Sequence, residues 1–379
     1  MNFSIDKVVE NIRVVDKQRN YWFIRTYGGT LYDDFFDRSF VGIGFNSIPM
    51  SLIKRATNKG DGNTEPLKTA IQTAYELKLG EVTKAANQLI DFHQNVKIGD
   101  MIIMPSENSE EFAFGLIEGD IYQSESKGTF KFRDGFEPFP EKRRKVKWLK
   151  TLNKSDLNGD FRNLIMSRSA ITDANNYRDV IEGYLSSVYI REDKLYLTIQ
   201  IEQEEDINAF AFSEFLSCLT YFYAEFCKEN GEEYNEELFL KIKVQSKGKV
   251  ALQCLSIAGG LAIAGLFAFS DDSEVKMELM GNKIEGKSTG FLKSLSGFLD
   301  ASQERKHKEE RFQDSIRRLK ATTIQEPIQK NEESVIAVKK HGEKALSQEK
   351  SEKKEKKVDL NGQKNIESGK PRQKDNGDN

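Results

Sequence analysis

YWFIRTYGG, residues 21–29, is a short run of aromatic and β-branched residues that ends in a double-glycine turn. Such a run reads as a strand with alternating faces, and the glycines allow the chain to reverse immediately after it. Four further segments repeat the pattern: FVGIGF at 40–45, VKIGDMIIMP at 96–105, EFAFGLIEGDIY at 111–122 and RRKVKWL at 143–149. Between the second and third of these lies a helical insertion. Asn63 or Thr64 is suited to cap it, Pro66 sits in the first turn, and Leu67, Ile71 and Tyr75 recur at helical spacing. Val82, Ala85, Leu89, Ile90 and Phe92 predict a second helix before the chain returns to strands, and Trp148 closes the domain.

Beyond this unit, residues 150–184 are polar, with DLNGDFRN at their centre, and read as helical or irregular; the connector is taken as 166–184. KLYLTIQIE then places Leu195, Leu197, Ile199 and Ile201 on one face of a strand, and Asp206 or Asn208 can cap the helix that follows. That helix carries a wide apolar stripe through Phe212, Phe215, Leu216, Leu219, Phe222 and Phe226. Strands are predicted around Leu240 to Val244 and Val275 to Leu279, and a last helix from Leu292 to Leu299. The fold class is therefore α+β, with a first domain over 1–165, a connector over 166–184 and a second domain over 185–323. From 324 to 379 Lys, Glu, Gln, Asn and Ser dominate. A segment with so little apolar surface cannot offset its chain entropy, so a disordered charged tail is expected.

The formal net charge of -3 gives no global basic signature, so nucleic-acid contact must come from a local patch. Cys218, Cys227 and Cys254 lie in apolar runs without CxxC spacing and read as core hydrophobes. Charges interrupt every apolar stretch of the first seventeen residues, so no signal-peptide core is expected and the reading is cytoplasmic.

One segment bears on that last reading. VALQCLSIAGGLAIAGLFAF, residues 250–269, is uncharged and long enough to span a bilayer, with Ser256, Gly260, Ala264 and Ala268 forming a small-residue stripe. The strands expected on both sides favour a buried or oligomer-forming helix, because a span would strand them on opposite sides of a membrane. Inner-membrane association through 250–269 stands as the alternative.

Catalytic signatures are sparse. Glu274 and Lys276 have nuclease-like spacing, but Asp271 and Asp272 are too close to come from a neighbouring strand. His93, His307 and His341 are isolated, and Asp33, Asp34 and Asp37 need be no more than a hydrophilic edge. No phosphate-binding loop occurs, and no metal or cofactor is called for. The chain reads as a binding protein.

In order and spacing, the five strand segments resemble the PUA-like superfamily, specifically its EVE branch and the N-terminal domain of Mrr-type restriction proteins. That resemblance implies a small β-barrel with a helical insertion that reads a modified or flipped base through an aromatic cage. Position by position, it implies base contacts from Trp22, Arg25, Phe45, Asn46, Ser47, Met104, Pro105, Ser106 and Trp148. The basic run Lys142, Arg143, Arg144, Lys145 and Lys147, with Lys127, Lys131 and Arg133 upstream, supplies candidate phosphate contacts. The partner expected is DNA with a modified base, or a nucleotide, in bacterial defence against foreign DNA. The second domain would bind a partner protein or a second copy. The rival expectation is a membrane-associated effector whose first domain senses a nucleotide.

Overall fold

Alternation along β2 (Tyr21–Ile24) turns Tyr21 and Phe23 to one side and Trp22 and Ile24 to the other, and all four are buried. A strand covered on both faces needs two layers around it, and that requirement organises the first half of the molecule. The computed structural model describes residues 12–57, 63–125, 127–157, 161–201, 206–229, 238–243, 248–268 and 289–323. The charged tail from 324, the expected strand at 275–279, the Glu274 and Lys276 pair and the early Val8 and Val9 lie outside the described residues.

The first sheet runs β10 (Ile171–Asp173), β2, β4 (Met101–Pro105), β5 (Glu111–Ile117), β9 (Lys142–Asn153) and β3 (Phe40–Ile43), with β6 (Tyr122–Gln123) paired to β9. β2 and β4 are parallel and the other neighbours antiparallel. Between β5 and β9 the register jumps from Phe114↔Lys150 to Gly115↔Trp148, so Leu149 is the extra residue of a bulge. A bulge increases local twist, and the first residues of β9, Lys142–Lys145, extend beyond β5 to pair with β3. The path ends at β10 and β3, which makes the sheet a curled half-barrel.

One face carries Tyr21, Phe23, Met101, Ile103, Phe112 and Phe114 against α5 (Arg162–Met166) and α6 (Arg178–Leu185). The other carries Trp22, Ile24, Ile102, Met104 and Val146. Against it pack α1 (Tyr32–Asp37), α2 (Met50–Ala56), α3 (Glu65–Tyr75) and α4 (Leu79–Ile90), the last running into a π turn at Asp91–Asn95.

The second sheet runs β1 (Arg13–Val14), β11 (Val188–Arg191), β12 (Lys194–Ile201), β14 (Gly248–Cys254) and β13 (Leu238–Lys243), and β15 (Ala321–Thr323) pairs with β12. Leu195, Leu197, Ile199 and Ile201 face a core built with α7 (Ala209–Glu229), α8 (Ile257–Ala268), α9 (Thr289–Asp300) and α10 (Gln303–Leu319). Asn208 caps α7 by accepting from the Phe210 and Ala211 amides. All three cysteines are buried, Cys218 and Cys227 on α7 and Cys254 on β14, the last two beside α8.

Two boundaries differ from the sequence reading. Residues 13–14 leave the first domain to pair in parallel with β11, which buries Ile12 in the second core. The expected connector is structural: β10 joins the first sheet, while α6 packs on that sheet through Ile181, Tyr184 and Leu185 and meets Thr198 of β12 at Gly183. α6 is thus a layer shared by both sheets.

The apolar run at 250–269 is also not one helix. Its first residues are the central strand β14, and the chain turns at Ser256, whose hydroxyl accepts from the Gly259 amide and caps α8. α8 has 12 residues, about 18 Å at 1.5 Å per residue, against a hydrocarbon core of about 30 Å. It is buried all round in the second core, from Ala258 to Phe267. No described helix is long and apolar enough to cross a membrane.

Candidate functional site

The turns at the ends of β2, β3 and β4 converge. After β2 the chain passes through Tyr27, Gly28 and Gly29, all with positive φ, and a Cβ on Gly29 would collide with the Glu107 backbone in the turn after β4. Thr26 donates its hydroxyl proton to the Pro105 carbonyl at 2.7 Å, locking the two turns together. On the other side Tyr27 leans over Gly44, so closely that a Cβ there would overlap the phenol oxygen. Phe45 follows with φ of 61°, again left-handed. Non-glycine residues held in this region cost free energy that surrounding contacts must offset, and such positions concentrate at functional sites.

Aromatic rings collect on these turns. Phe130 and Phe132 meet Tyr27 edge-on at 5.0 and 5.6 Å, and Tyr75 of α3 meets Phe45 at 5.1 Å. Phe139 packs on Phe130 at 5.5 Å. Tyr27, Phe45, Tyr75, Phe132 and Phe139 are each only partly covered, so together they form an aromatic rim on the surface. Polar groups fix it. Asn46 donates to the Phe139 carbonyl and accepts from the Glu141 amide, and the Tyr75 hydroxyl accepts from the Ser47 amide. Burial pushes the Tyr27 phenol up to about 12, so it stays a neutral hydroxyl at physiological pH.

Of the residues expected to form a cage, the rim takes Phe45, Asn46 and Ser47, with Pro105 and Ser106 in the turn beneath. Pro105 is buried, and the Ser106 hydroxyl accepts from the Glu111 amide. The remaining expected positions lie elsewhere. Trp22 and Met104 point into the core that α1 to α4 fill, with the Trp22 indole donating to Asp100 at 2.9 Å. The helical insertion therefore covers the sheet face that carries Trp22 and Met104. Arg25 is half-buried and donates to the Ile165 carbonyl at α5. Trp148 is half-buried, stacked on Phe36 at 5.6 Å and donating to the Phe36 carbonyl at 3.0 Å.

The basic run divides in the same way. Lys142, Arg143 and Arg144 are buried and each donates to backbone carbonyls, although one buried guanidinium nitrogen of Arg143, which lies over the Phe40 ring, has no hydrogen-bond partner among the described residues. Lys142 donates to Phe45, Arg143 to Pro140, and Arg144 to Phe92, His93 and Gly119. As phosphate contacts these three are corrected to structural clamps; Lys145 and Lys147 alone of the run are exposed. Tyr27, Tyr75 and the Phe130, Phe132 and Phe139 set were missed by the sequence reading. The signal was present in TFKFRDGFEPF, residues 129–139, where Phe130 and Phe132 alternate onto one face of a hairpin and Phe139 follows.

Lys142 gives a pH test of this assignment. Burial lowers its ammonium from 10.5 to about 8. Between those values the unfolded chain binds the proton and the folded protein does not, so the cost is full below pH 8 and is relieved as pH rises. Relative to Lys142→Met, the parent should gain stability between about pH 8 and 10.5 in urea unfolding. A difference independent of pH would contradict the burial of this charge.

A family described only as a domain of unknown function (DUF8426) matches residues 25–173. Its bounds cover the half-barrel from Arg25 to β10, and its description carries no activity. No curated protein and no solved structure matches the chain. Among the described residues no three His, Cys, Asp or Glu side chains are grouped to hold a metal.

Proposed function

We propose that the half-barrel is a non-enzymatic reader of nucleic acid, which stacks an unpaired or modified base on the rim formed by Tyr27, Phe45, Tyr75 and Phe132. The observation that carries this reading is the convergence of partly exposed rings on left-handed turns, bordered by the exposed cation Arg133, whose guanidinium lies over the Phe132 ring. Flat rings bind any base face, and fixed polar groups such as Asn46 and Ser47 supply edge contacts. The curled sheet with its helical insertion is compatible with a PUA-like barrel of the EVE or Mrr N-terminal type, and a role in defence against foreign DNA rests on that resemblance alone. The site lies at the strand ends and not on the sheet face that the helical insertion covers.

Stacking contributes on the order of 1–3 kcal/mol per base, so Phe45→Ala should weaken oligonucleotide binding by about tenfold or more. Fluorescence anisotropy with modified and unmodified single strands checks this, with circular dichroism to establish that the variant is folded. A folded Phe45→Ala that binds as the parent does would remove the rim from the reading.

A further inference from the structure

The β7 (Thr129–Phe132) and β8 (Gly135–Pro138) hairpin has two unlike faces. Residues directly opposite in an antiparallel pair share a face. Phe130↔Glu137 and Phe132↔Gly135 therefore look inward, where both rings touch Tyr27, while Lys131↔Phe136 and Thr129↔Pro138 look outward. Phe136 is 74% exposed; Lys131 directly opposite it, Arg133 in the turn and Lys127 just ahead of β7 are exposed as well. The Arg133 guanidinium sits 5.1 Å from the Phe132 ring centre, which joins the outer face to the rim. Of the hairpin acids, Asp134 lies in the turn and Glu137 belongs to the inner face beside Tyr27.

We propose that this outer face is a second contact for single-stranded nucleic acid, taking the nucleotides next to the one held on the rim. The proposal rests on the rim reading above. An exposed ring between cations matches the alternation of base and phosphate along an unpaired strand: Phe136 stacks on a base while Lys131, Arg133 and Lys127 meet the backbone. The hairpin thus sets the length of strand engaged.

The test compares a dinucleotide with a twelve-nucleotide single strand, each titrated by anisotropy into the full chain, Phe136→Ala, Lys131→Ser and Phe45→Ala. The inner-face rings stay in place in both hairpin variants, so the rim is kept. The parent should bind the longer strand more tightly. Phe136→Ala should lose about tenfold for it and less than twofold for the dinucleotide, and Lys131→Ser should flatten the salt dependence for the longer strand only. Equal losses for both lengths would overturn the proposal, since the hairpin would then only support the rim. Unchanged binding of the longer strand, or capture of the hairpin by phosphatidylserine vesicles instead of by nucleic acid, would overturn it as well. Failure of the rim reading looks different: Phe45→Ala would change nothing while the hairpin variants still weakened the longer strand.

Discussion

Trp22→Ala is expected to lower the unfolding free energy by about 3–5 kcal/mol, the range for removing a large buried aromatic. The indole is 6% exposed, packs among the helices of the insertion and donates to Asp100. The substitution leaves a cavity and also leaves Asp100 short of one donor. Asp100 keeps the Asn20 and Lys97 amides, so the turn before β4 should persist while the core loosens. Chemical denaturation followed by far-ultraviolet circular dichroism checks the magnitude. A Trp22→Ala protein as stable as the parent, with weakened ligand binding, would restore this residue to a binding role.

The second large effect is expected at Glu182. Its carboxylate is completely buried where β1, β2 and α6 meet, with Arg13 at 2.5 Å, Arg19 at 3.5 Å and the Tyr21 hydroxyl at 2.6 Å. Arg13 belongs to the second sheet and Tyr21 to the first, so one carboxylate ties both sheets through the shared helix. Burial and the neighbouring carboxylate both raise the Tyr21 phenol, which therefore remains a proton donor. Removing one partner of a buried charge cluster typically costs about 3–5 kcal/mol, because the remaining charges stay desolvated. Glu182→Ala should show that loss and make unfolding less cooperative, with the half-barrel and the second domain melting separately. Glu182→Gln, which keeps an acceptor for Tyr21 but not the charge, should fall between. A single transition with unchanged midpoint in Glu182→Ala would show that the two sheets are held by apolar packing alone.

The strand positions were legible because period-two alternation in YWFI, MIIMP and KLYLTIQI is a local property that the fold keeps. Helices α3 and α4 were equally legible from their apolar spacing and from Pro66 near the start of the first. What the sequence hides is pairing across distance. The indole of Trp22 is claimed by Asp100, 78 positions away, and Arg144 by carbonyls about 50 and 25 positions away, so a tryptophan and a basic run looked free. The run at 250–269 was misread for a different reason. A buried central strand and a buried helix are both uniformly apolar, and hydrophobicity does not mark where one becomes the other. The mark was Ser256, a capping residue inside the run. The rim was half legible: Phe45, Asn46 and Ser47 followed from the family resemblance. Tyr27 and Tyr75 reach the site through a turn and an insertion that no period encodes.

The central claim is that an unpaired base rests on the rim, and the amide resonances of the full chain, followed during titration with single nucleotides and short single strands, test it most directly. The largest shifts are expected at Thr26 to Gly29, Gly44 to Ser47 and Phe132, with Trp22, Met104 and the buried Lys142 to Arg144 segment moving little. Shifts concentrated at Trp148 and Phe36 or on the second sheet, or no shifts at all with every strand tried, would contradict it.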